Sequence, residues 1–181
     1  MIDLTRYYKN QLSAEKFFNK DEVIEYVGRT GLKGKRILDI GCGNDVFLEV
    51  YLKRFVPDIH YCGIDLSITS PSSSRSIVDM HDLEVLKNEF FTDVFLFNTL
   101  EHSPAPVIVL CNVNKVLEKD GIIHVILPTG IGHEIAQEHF MVPSEIQLIS
   151  LLTFAGFNGF VKKNIGTVWS MTAQKVRDWR E

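Results

Sequence analysis

Arg36-Ile-Leu-Asp39-Ile-Gly41-Cys-Gly43-Asn-Asp45-Val-Phe-Leu-Glu-Val-Tyr51-Leu-Lys-Arg-Phe55 decides the fold. The apolar run from Ile37 to Ile40 is strand-like, Gly41 to Asp45 is a glycine-bearing turn, and Phe47, Leu48, Tyr51, Leu52 and Phe55 recur at helical spacing. Strand, tight turn and helix in that order predict one unit of an open α/β sheet. Ligands of such sheets bind at the carboxyl ends of the strands, where a helix amino terminus also offers free N–H groups to an anion.

The same alternation extends outward in both directions. Before the turn, Phe17, Phe18, Val23, Ile24 and Val27 predict one or two helices over residues 13–28, and residues 1–34 are expected to form a helical cover on a core of residues 35–181. After it, residues 60–66 read as a second strand, and a Ser/Pro-rich loop leads to a third at residues 76–80. That crossover is shorter than parallel strands usually need. A short helix through Leu83, Leu86 and Phe90 follows, then a strand buried on both faces at residues 93–98. Pro104 and Pro106 open a helix that Asp120-Gly121 is expected to stop, and residues 122–127 form the next strand. Residues 128–143 are long enough for a substrate loop. Ser144 should cap a helix ending at Gly156, and residues 157–163 and 167–175 should pair as an antiparallel hairpin. The expected fold is therefore α/β: a single doubly wound, Rossmann-like domain over residues 1–181, with a mostly parallel seven-stranded sheet and a shortened crossover after the second strand.

Composition narrows the function classes. The 181 residues suit one domain, and the 45% hydrophobic content includes no run near the roughly 20 residues that span a bilayer. The amino terminus lacks the layout of a secretory signal, so a cytoplasmic location is the expectation. A net charge of −4 offers no general attraction to nucleic acid. The cations at Lys162, Lys163, Lys175, Arg177 and Arg180 read as a solvated edge and tail. Cys42, Cys62 and Cys111 are expected to be small buried hydrophobes, and no metal site is expected: His133-Glu134 and His139 have the wrong spacing for a zinc-binding H-E-x-x-H helix.

Two nucleotide motifs are excluded. A dinucleotide fingerprint would place its third glycine where Val46 stands, and no G-x-x-x-x-G-K-[ST] string occurs. Asp39-Ile-Gly41-Cys42-Gly43 instead resembles the first motif of the class I S-adenosylmethionine-dependent methyltransferases. Three further landmarks follow in order: Tyr61-Cys-Gly-Ile-Asp65-Leu66, Ile77-Val-Asp79-Met80, and Asn98-Thr-Leu-Glu-His102, the last similar to the Leu-Glu-His string of small-molecule members of the family. The resemblance implies S-adenosylmethionine as cofactor and a methyl transfer to a small-molecule acceptor, with S-adenosylhomocysteine as product. It assigns Asp39 to the ammonium, Gly41, Cys42 and Gly43 to close backbone approach, and Asp65 with Leu66 to the ribose. Asp79 and Met80 fall to the adenine, Asn98 to the methionine portion, and His102 or His139 to a general base. Acceptor pockets of the family correspond to residues 7–18 and 129–142 here.

Each has a plainer alternative: Asp39 as a strand-end acid satisfied by amides, Asp65 and Asp79 as turn caps, and His102 as a loop-holding histidine. Asp45 stands where many members carry a third glycine, and it suits a helix N-cap. It also opens a second reading, a methyltransferase-like domain that has lost catalysis and serves in binding or regulation. Under that reading Asp45→Gly tightens S-adenosylhomocysteine binding about fivefold, the worth of roughly 1 kcal/mol for relief of a near-surface like-charge contact. Calorimetry that finds wild type already binding well, and the variant no better, removes it.

Overall fold

A computed structural model describes residues 31–44, 47–56, 58–87, 89–128, 139–165 and 168–179. The helices expected at residues 13–28, the side chain of Asp45, and most of the expected substrate loop, including His133 and Glu134, lie outside the described residues. Strand β1 spans Arg36–Ile40 and is followed by helix α1, Phe47–Phe55. Next come β2 at His60–Ile64, β3 at Arg75–Ser76 and β4 at Phe91–Phe97. Helix α2 (Pro106–Val116), β5 (Leu117–Pro128), α3 (Glu145–Phe154), β6 (Phe157–Ile165) and β7 (Val168–Lys175) follow among the described residues.

Among the described residues, seven strands form one sheet in the order β3-β2-β1-β4-β5-β7-β6. Pairing is parallel from β3 to β5, and β7 runs antiparallel to both β5 and β6. The expected doubly wound sheet with its terminal hairpin is the observed one. Alternate residues of the central strands serve two cores, because successive side chains point to opposite faces. Leu38, Ile40, Val94, Leu96, Ile123 and Val125 pack with α2 and α3 on one face. Ile37, Phe95, Phe97 and Ile126 pack with Leu48 and Leu52 of α1 on the other.

Several boundaries differ from expectation. The third strand is only two residues and starts at Arg75, since a Ser72–Arg75 bridge turns the Ser/Pro loop back before Ile77. The helix expected after His81 is a single 3-10 turn, Glu84–Leu86. Asp120-Gly121 does not stop α2, which already ends at Val116; Asp120 takes a φ of 63° inside β5, where the register against β4 shifts. Ser144 caps α3 as expected, in a reciprocal capping box with Gln147. Of the cysteines only Cys111 is fully buried, Cys42 and Cys62 being half-buried. No helix among the described residues is long and apolar enough to cross a membrane.

Lys175 corrects the reading of the last cations as a solvated tail. It is buried, and its Nζ donates to the carbonyls of Asn114 and Leu117 at 2.8 and 3.0 Å while pairing with Asp178. The ammonium thus closes the junction between α2 and β5, where carbonyl groups lack helical partners. Lys175→Met keeps the apolar stem but orphans both carbonyls, and urea unfolding is expected to show a loss of about 1–3 kcal/mol.

Candidate active site

The carboxyl ends of β1, β2 and β4 meet at the glycine turn. Gly41 and Cys42 both donate their N–H to the Ile64 carbonyl, at 2.8 and 3.2 Å, so the chain leaving β1 folds over the end of β2. Gly41 and Gly43 have φ of 78° and 60°, a region costly for other residues. A Cβ on Gly41 would lie 2.2 Å from the Thr99 hydroxyl, which itself donates to the Ile40 carbonyl at 3.0 Å. The turn is therefore pressed between β2 and the segment after β4.

Asp65 reaches back to this turn. Its Oδ2 accepts from Gly43 N–H at 2.9 Å and its Oδ1 from Ser67 N–H at 2.7 Å. Each oxygen keeps a second acceptor direction, and the residue is half-buried, so hydroxyl donors can still approach. Arg75, buried beside it, donates to the Gly43 carbonyl while its Nε has no partner.

Asp39 lies beneath the turn with its Oδ2 accepting the Tyr61 hydroxyl at 2.6 Å. Burial pushes its carboxyl up to about 7, against the pull of the Tyr61 hydrogen bond and with a further push from Asp65. Tyr61 fits here because position 63 is glycine: a Cβ there would stand 3.1 Å from the Tyr61 hydroxyl and 2.9 Å from Cys42 Sγ. Burial also holds the Cys42 thiol in its neutral form, which leaves that residue a backbone role rather than a nucleophilic one.

Asp79 and Met80 stand at the next strand end. Asp79 Oδ1 meets His81 N–H at 2.9 Å and His81 Nδ1 at 2.7 Å, while His81 Nε2 meets Ser103 Oγ at 2.8 Å. The Met80 side chain packs into the core, which favours a backbone contact for it. Asn98 directly follows β4 with a φ of 44°, and its buried Oδ1 has no hydrogen-bond partner.

A 3-10 turn, Leu100–His102, follows at once. Glu101 is fully buried, neither carboxylate oxygen has a partner, and burial raises its carboxyl to about 8. Its carbonyl accepts from Phe140 and Met141 N–H, which brings in the segment carrying His139. The His102 and His139 rings stand edge to face with centroids 4.9 Å apart. The two expected base candidates are thus neighbours. Tyr61, Arg75, Thr99 and Glu101 carried no assigned role in the sequence; Glu101 sat in plain view inside the Leu-Glu-His string, whereas the other three had no local signal.

A family model described as a methyltransferase domain matches residues 9–160. The chain belongs to that methyltransferase family. The ubiquinone biosynthesis O-methyltransferase of Neisseria meningitidis serogroup C (strain 053442) is 25% identical over 114 residues, 55% of this chain and 47% of the relative. The match thus spans about half the length of that curated relative. In structure, a SAM dependent methyltransferase from Archaeoglobus fulgidus superposes with a TM-score of 0.70 at 18% identity, over 93% of this chain and 99% of the other. Human N-acetylserotonin methyltransferase, solved in complex with SAM, superposes at 0.69 and 15% identity, over 94% of this chain and 55% of the other. At these identities the superpositions speak for the fold.

The cofactor of this methyltransferase family is S-adenosylmethionine. The residues here fit such a molecule on chemical grounds. A cationic amino acid moiety calls for acceptors, and Asp39 and the unpartnered Asn98 Oδ1 supply them at adjacent strand ends. Positive-φ glycines let the ligand approach the backbone.

The raised carboxyl of Asp39 gives a signed expectation. The folded protein holds an extra proton between the ordinary value of 3.8 and about 7, so stability from this group falls as pH rises through that window. Asp39→Asn is expected to be more stable than wild type at pH 8 by an amount on the order of 4 kcal/mol, and to lose most of that advantage near pH 4. Thermal unfolding across the range checks it. A ligand ammonium favours the ionised form, so wild-type affinity for S-adenosylhomocysteine should climb from pH 5.5 to about pH 7, with no such climb in the variant.

Proposed function

We propose that this chain is an S-adenosylmethionine-dependent methyltransferase that methylates a hydroxyl of a small-molecule acceptor. The observation that carries the reading is the row of groups at the sheet's carboxyl edge: a turn with two positive-φ glycines, flanked by Asp39 in β1 and by Asp65 and Asp79 in the segments that follow β2 and β3. In this reading Asp39 and Asn98 receive the ammonium, while Gly41, Cys42 and Gly43 give their backbone to the amino acid portion. Asp65 and Leu66 hold the ribose, and Asp79 and Met80 the adenine.

When bound, the cofactor supplies a methyl carbon on a cationic sulfur, which an incoming lone pair displaces as the carbon–sulfur electrons return to sulfur. The protein's share is alignment and proton removal. His102 and His139, adjacent to one another and close after the end of β4, are placed to take the acceptor's proton. An oxygen acceptor is supported by the O-methyltransferase relative and by this pair of bases.

Calorimetric titration with S-adenosylhomocysteine tests the reading. Binding in the micromolar range is expected, with Asp65→Ala weaker by about tenfold or more, since it removes both a ribose acceptor and the tie to Gly43. Absence of binding at about millimolar ligand would sink the proposal. Transfer of a labelled methyl group to a panel of phenols and catechols then looks for the acceptor.

A further inference from the structure

Glu101 is the most costly side chain near the site. Both carboxylate oxygens are buried without a hydrogen-bond partner, and a charge so placed is tolerated only when something pairs with it. Protonation removes the charge but leaves an O–H that still needs an acceptor. The groups nearest to answering the need are two imidazoles from different segments. One ligand atom each from Glu101, His102 and His139 lies within 4.8 Å of the other two. Backbone bonds from Phe140 and Met141 to the Glu101 carbonyl hold the segments together.

We propose that Glu101, His102 and His139 form a binding site for a divalent first-row transition cation of the manganese, iron or zinc type. It rests on the methyltransferase reading only for its role, which is to take the acceptor's hydroxyl oxygen. Two imidazole nitrogens and one carboxylate oxygen suit such cations better than magnesium or calcium, which favour all-oxygen sets. Around a cation at about 2.1 Å, neighbouring ligand atoms stand roughly 3.0–3.4 Å apart, so the trio must draw in by at most about 1.8 Å. Rotation of the two half-buried imidazoles supplies movement of that size, while Glu101 stays fixed in the interior.

Three protein ligands leave coordination positions open, and the cluster is covered on the Glu101 side and accessible on the histidine side. With the two imidazoles occupied as ligands, the cation takes over their part in proton removal: a hydroxyl taken into an open position loses its proton to water more readily, and its lone pair becomes available for the displacement at the methyl carbon. With more than one position open, an acceptor carrying two adjacent oxygens would chelate, so the cation would select the substrate as well as activate it. The segment 98–102 joins this cluster to the cofactor side, since Thr99 packs on Gly41 and Asn98 precedes it by one residue.

The test uses the full chain, stripped of metal by chelation and dialysis. Titration with Co²⁺ is followed by visible absorption, and with Mn²⁺ and Zn²⁺ by calorimetry. One equivalent is expected to bind with a Kd of about 10 μM or tighter, weakened roughly tenfold or more by Glu101→Gln and by His139→Asn. S-adenosylhomocysteine affinity should stay within about threefold in both variants, because neither residue belongs to the proposed cofactor cradle. No cation bound below about 1 mM, or binding unchanged in the variants, overturns the site. If Glu101→Gln does not fold, His139→Asn on the accessible side makes the same comparison. Cofactor binding without cation binding defeats the metal site and leaves the methyltransferase reading standing; cation binding without cofactor binding does the reverse.

Discussion

The site depends on one carboxylate that turns back on its own sheet. Asp65 directly follows β2, and both of its oxygens accept backbone N–H groups, one from Gly43 in the turn after β1 and one from Ser67. With the Ile64 carbonyl receiving Gly41 and Cys42, the whole glycine turn is anchored to the neighbouring strand rather than left as a loop. A turn held in that way does not have to be ordered when a ligand arrives, so less of the binding free energy is spent on it. The cost is electrostatic. Burial raises the Asp39 carboxyl, and the nearby charge of Asp65 adds to that. Arg75 offsets part of this from below the turn. On the proposed reading a cationic ligand would complete the compensation.

Much of the sheet was legible because its strands are buried on both faces. The runs Ile37 to Ile40, Val94 to Phe97 and Ile122 to Leu127 are nearly continuous apolar segments, as central parallel strands require. The edges were not. A two-residue strand such as Arg75–Ser76 has no periodicity to detect, and its existence depends on register with Gly63 and Ile64. Asp120-Gly121 carried a sound turn signal but was placed in the wrong element, since local chemistry does not say whether a turn ends a helix or kinks a strand. Lys175 was misread for a related reason: a lysine near a chain's end is usually solvated, and only the tertiary position of the α2 terminus gives it carbonyls to bind.

For the site, the strand-end acids were visible because each follows an apolar run, but their surroundings were not. Tyr61 reaches Asp39 across two strands, through space that Gly63 leaves open. Glu101 looked like a member of a short string whose histidine attracted the attention. Its burial, and its meeting with His139, come from backbone pairing between segments far apart in sequence, and no spacing rule covers that.

The six residues from Asn98 to Ser103 are where these threads cross. Asn98 takes a left-handed backbone, Thr99 braces the glycine turn, and Leu100 is buried in the main core. Glu101 then faces the histidines, and Ser103 reaches His81, which in turn holds Asp79. A segment that carries a strained residue and two sets of unpartnered buried acceptors is locally expensive, and it persists because its neighbours fix it on every side. Leu100 supplies that fixity: with its side chain in the core, Thr99 cannot shift against Gly41 without disturbing the packing that also sets Glu101. On the proposed assignment, cofactor side and acceptor side therefore share one rigid support, and the distance between them would be set by the fold rather than by either ligand. For an in-line transfer, whose rate depends on that distance, this is the arrangement the chemistry demands.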